Sequence, residues 1–169
     1  MEMTLPLWSI CSKWLTALEQ SNEIQEFCQA NYGRAPIFLG GANPRQAPDE
    51  DFCPYILVMP GRKSEGSDPL IYTVGVAWVI AQPNVLVDGV KKPFNDYSDA
   101  KEIIISGMQE CDEFGQMIFE VLQTCAEEIG YPISKIEYDI SPVTAFPQFA
   151  GVMLATTNIE PAMGEVLTY

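Results

Sequence analysis

The sequence predicts an α+β fold: a single domain over residues 1–169 in which two main helices pack on a mostly antiparallel sheet, in the order α-β-β-β-α-β-β. Three observations predict it. Two segments, Leu7 to Leu18 and Cys111 to Ile129, repeat apolar residues at helical spacing. Between and after them lie short runs of β-branched and aromatic residues bounded by Gly, Pro, Asn and Asp, which read as strands. No repeat, linker or low-complexity stretch divides the 169 residues, a length that lets one domain bury roughly 70% of the surface its unfolded chain exposes.

The first helix is written in Leu7, Ile10, Cys11, Trp14, Leu15 and Leu18, one apolar face, with Thr4 as its cap and Pro6 in its first turn. Ser21-Asn22 interrupts it, Asn22 caps a short second piece through Gln29, and Gly33 and Pro36 end the helical region. Ala35 to Leu39 reads as a short strand, and Gly40 to Pro48 as an irregular loop that ends in the acidic triplet Asp49-Glu50-Asp51. Tyr55 to Met59 is apolar throughout, the pattern of a strand buried on both faces. A polar turn from Pro60 to Pro69 joins it to Leu70–Ala81 as a hairpin, and Gly75 points to a bulge in the second strand.

From Gln82 to Ala100 the pattern weakens into a long excursion with a small hairpin about Asp88-Gly89. Glu102 to Ile105 then meets Ser106, whose spacing to Gln109 is that of a capping box opening the clearest helix of the chain. Cys111, Phe114, Gly115, Ile118, Leu122, Cys125, Ala126 and Ile129 form its apolar face; Glu110, Glu113, Gln116, Glu120, Gln123 and Glu127 form its wet face. Gly130 and Pro132 stop it. Ile136, Tyr138 and Ile140 alternate with Glu137 and Asp139 as a half-exposed strand ended by Pro142, and a last strand runs from Ala150 to about Ile159.

Composition narrows the function. The chain has no histidine, 23 acidic residues against 9 basic ones, and a formal net charge of −14. Without imidazole there is no Ser-His or Cys-His nucleophile pair and no His-ligated metal. Strong negative charge repels nucleic-acid phosphates and anionic membranes, both of which are bound through Lys and Arg. The apolar runs are too short for the roughly 20 residues a membrane helix needs, and the N-terminus lacks the basic region of a secretion signal, so the chain reads as cytoplasmic. Five cysteines without a C-x-x-C pair read as buried, reduced core thiols. Trp8, Trp14, Trp78 and Phe114 stand at core periodicity.

No phosphate-binding or serine-nucleophile motif is present, so no catalytic residue, cofactor site or metal site is assigned. Asp49-Glu50-Asp51, or Glu137 with Asp139, have the oxygen chemistry for Mg²⁺ or Ca²⁺, and a solvated acidic loop and strand face are the simpler readings. Of the basic residues, which mostly fall in predicted loops, Arg34 and Arg45 are candidates for meeting acidic patches on neighbouring subunits.

The element order, with Ala35-Pro36-Ile37-Phe38-Leu39-Gly40, Cys53-Pro54-Tyr55-Ile56-Leu57-Val58 and the Ser106–Gly130 helix, resembles the tail-terminator proteins of long-tailed bacteriophages over most of the chain. The resemblance implies a non-enzymatic virion protein, assembled in the bacterial host cytoplasm, that forms a homohexameric ring on the tail tube. Such a ring stops polymerisation of the tail-tube protein, offers a surface to a head-completion or connector protein, and lets DNA through without specific binding. In that reading Asp49, Glu50 and Asp51 are candidates for a lumen-facing acidic loop. Two other classes compete: an acidic DNA mimic, whose carboxylates would form one stripe, and a Mg²⁺-dependent hydrolase, whose acids would converge on one cleft.

Overall fold

The computed structural model describes residues 5–40, 52–64, 70–81, 84–87, 90–93, 100–145 and 148–159. Along the chain these form α1 (Leu7–Glu19), α2 (Asn22–Tyr32), β1 (Ile37–Leu39), β2 (Tyr55–Ser64), β3 (Leu70–Ala81), β4 (Asn84–Val87), β5 (Val90–Pro93), α3 (Ala100–Glu128), β6 (Ile133–Ala145) and β7 (Gln148–Ile159). The fold is α+β, as the sequence predicts, with the helical region in two pieces and the hairpin of the excursion present as β4 and β5. The main sheet has the order β1-β2-β3-β7-β6; β1 runs parallel to β2 and every other pairing is antiparallel. No helix among the described residues is long and apolar enough to cross a membrane.

Local chemistry accounts for most boundaries. Ser21, rather than Asn22, caps α2: its Oγ accepts from the Ile24 amide at 3.3 Å, and the helix runs on to Tyr32. Gly33 (φ 71°) and Gly130 (φ 81°) take the left-handed conformation just beyond α2 and α3, where a side chain would be strained. Pro6 holds the N-cap position of α1 without a side-chain cap, and Thr4 lies outside the described residues.

The end of β2, its bulge, the start of α3 and the end of β6 also depart from the sequence expectation. Strand β2 does not stop at Met59 but continues to Ser64, carrying Arg62 and Lys63 on a strand rather than in a loop. The register shift that admits Pro60 falls between Pro60 and Arg62, not at Gly75, which pairs regularly with Met59 and Leu154. Gly61 is required at that bulge, since a Cβ there would lie 2.6 Å from the Thr73 carbonyl oxygen. Helix α3 begins at Ala100, so Ser106 is a buried helical residue and not a cap; burial of Ile103 on the helix outweighs the weak strand preference of Ile103-Ile104-Ile105. Strand β6 passes Pro142 to Ala145, with its register broken between Ser141 and Ala145. That is where an edge strand tolerates proline, because one row of its amides has no ladder partner to lose.

The three helices cover one face of the sheet. Ile10, Cys11, Trp14 and Leu18 of α1, Ile24, Phe27 and Cys28 of α2, and the predicted stripe of α3 close over Ile56, Val58, Tyr72, Val74, Val76, Trp78, Ile80, Phe149, Met153 and Ala155. All five cysteines are buried thiols outside any disulfide. Trp8 departs from its periodicity and is 49% exposed, lying over Gly40.

Trp78 sets how closely α3 approaches the sheet. Its indole fills the space above Gly115 of α3 and Gly151 of β7, and a Cβ at either position would overlap the ring. Gly107, two turns before Gly115, is likewise occupied by the Phe149 ring. Gly115→Ala would ordinarily stabilise a helix interior by about 1 kcal/mol. Here the sign should reverse, since overpacking costs about 1–3 kcal/mol. Leu122→Ala, a cavity mutation on the same face, should cost about 2–5 kcal/mol, and exposed Glu120→Ala little. Denaturant midpoints for the three variants test this; a Gly115→Ala protein as stable as the parent would show that the indole is not wedged.

Candidate functional site

Three side chains from three other elements anchor the segment of α3 from Glu110 to Asp112. Trp78 Nε1 on β3 donates to the Cys111 carbonyl at 2.9 Å. Tyr138 Oη on β6 donates to Asp112 Oδ1 at 2.7 Å and lies 3.1 Å from its carbonyl oxygen. Tyr32 Oη at the end of α2 donates to Glu110 Oε2 at 3.0 Å. Glu110 is therefore not simply part of the wet face but a half-buried acceptor. Rings stack behind these contacts: Phe27 lies on Phe114 at 5.4 Å, and Trp78 meets Tyr138 at 5.4 Å with a 40° tilt.

The thiols around this cluster are poor nucleophiles. Burial, with the Glu110 charge adding to it, pushes Cys28 up to about 12; burial also drives Cys111 to about 12, against a lowering contribution from Trp78. Burial lifts Cys11 to about 11. The phenols of Tyr32 and Tyr138 are likewise raised, first by burial and then by the carboxylates they donate to. At neutral pH all of these groups are protonated, so they hold the helix in place and supply neither a thiolate nor a base. Among the described residues no three Cys, Asp or Glu side chains stand close enough to share a metal ion.

Of the residues the sequence singles out, Arg34 sits between α2 and β1 and donates from its guanidinium to the Cys53 carbonyl, tying the end of α2 to the start of β2. Arg45, Asp49, Glu50 and Asp51 lie outside the described residues. Glu137 and Asp139 share the exposed side of β6, where Glu137 pairs with Lys135 at 3.4 Å.

What the sequence did not single out is the helix-free face of the sheet. Pairing places four residues in each row across β2, β3, β7 and β6: Leu57, Ala77, Val152 and Asp139; then Met59, Gly75, Leu154 and Glu137; then Arg62, Thr73, Thr156 and Lys135. On the β1–β2 side this face is closed, with Cys53, Tyr55, Leu57 and Val79 forming a second buried cluster. Toward β6 it is open: Val152 is 47% and Leu154 39% exposed. The signal was present in β7, where Ala150, Val152 and Leu154 alternate with Phe149, Gly151 and Met153, so that neither face is polar as a half-solvated strand requires.

The opposite, helical side is acidic. Two adjoining depressions of about 490 and 470 Å³ follow α3 where it passes α2 and the end of α1. Ala17, Met117 and Val121 give them apolar lining, and Glu23, Glu113, Glu120 and Glu128 charged lining. Comparison with models of known protein families and with curated proteins returns no match.

The raised thiols carry a pH dependence of fixed sign. Their folded-state values lie above the ordinary 9.0, so their contribution to stability is complete below pH 9 and is lost as pH rises toward about 11–12. Melting temperature should fall through that window, and iodoacetamide at pH 8 should label these cysteines far faster in denaturant than in the native protein. Rapid native labelling of Cys28 or Cys111 would contradict their burial.

Proposed function

We propose that the protein is a structural subunit that assembles into a ring of the tail-terminator kind, capping a phage tail tube and presenting a surface for head attachment. The observation that carries this reading is the pair of unlike surfaces on one small domain, an open sheet face that exposes Val152 and Leu154 among charged residues and an acidic helical back. A monomer leaves Val152 and Leu154 in water, whereas a heterologous contact, one surface meeting a different surface on the next copy, covers them and forms a ring when its rotation closes. The dispersal of carboxylates over α3 and β6 favours this over a hydrolase, whose acids would converge, or a DNA mimic, whose acids would form one stripe.

In this reading the ring has six copies, contacts the tail-tube protein on one side and a head-completion or connector protein on the other, and forms in the bacterial host cytoplasm before joining the virion. Asp49, Glu50 and Asp51 then approach the DNA channel, where their charge keeps passing DNA unbound.

Light scattering over a concentration series, with and without tail tubes, tests assembly. Six-copy rings are expected for the parent protein, and Val152→Asp with Leu154→Asp should leave a folded monomer. A parent that stays monomeric in both settings would sink the proposal. Changing the triplet to Asn, Gln and Asn should leave folding intact and raise the ring's retention of DNA at low salt, an increase that fades as salt is raised. Equal weak retention at every salt concentration would place the triplet outside the channel.

A further inference from the structure

No further inference is drawn: the strongest candidate, the groove along α3 that Glu23, Glu113, Glu120 and Glu128 rim above Met117 and Val121, is a cluster of carboxylates on a solvated helical face, and nothing in the structure shows what covers it.

Discussion

The structure depends on one steric fit, the Trp78 indole held between a helix glycine and a strand glycine. Removing two Cβ atoms, at Gly115 and Gly151, opens a slot that the largest side chain of the sheet fills, and its one polar atom is satisfied by the Cys111 carbonyl of the same helix. A buried indole N–H without a partner would cost about 1–3 kcal/mol, so the hydrogen bond fixes the helix along its axis while the slot fixes its height. Tyr138 extends the arrangement to the edge strand, and Phe149 under Gly107 repeats it two turns earlier. Four elements are thereby locked to one another: α3, β3, β6 and β7.

This fit also decides where charge goes. With its apolar stripe committed to the sheet, α3 turns Glu113, Glu120 and Glu127 to solvent, and the fully buried titratable groups among the described residues are neutral thiols and phenols. Glu110 is the instructive exception. Its half-buried position is tolerable because Tyr32 donates to it, and burial first, then this carboxylate, raises the phenol.

The fold was largely legible because its strongest elements are periodic. The α3 stripe, the apolar run of β2 and the two glycine helix stops each have a local cause that a sequence expresses. What escaped was set by tertiary packing. Three successive isoleucines at 103–105 look like strand, and they are helical with Ile103 alone of the three buried; Pro60 and Pro142 look like terminators, and a bulge and an edge position let the strands pass them. Glu110 reads as solvated from its heptad-like spacing, since nothing local announces a phenol 78 positions away. The candidate surfaces were legible least. Arg62 and Lys135 become one row only through β3 and β7, and no spacing along the chain encodes that neighbourhood.

The strand order β1-β2-β3-β7-β6 has a consequence for how the chain is made. Strand β7 is the last of the described elements yet lies inside the sheet, paired on both sides. Strand β3 can pair with β2 soon after synthesis, but its other edge, carrying Tyr72, Val74, Val76 and Trp78, waits for a partner more than seventy residues later. Such non-local pairing is slow, and the unfinished edge is a template for another chain. Until β7 emerges, α3 can already shield Trp78, so the helix acts first as a cover for the nascent half-sheet and afterwards as part of the finished core.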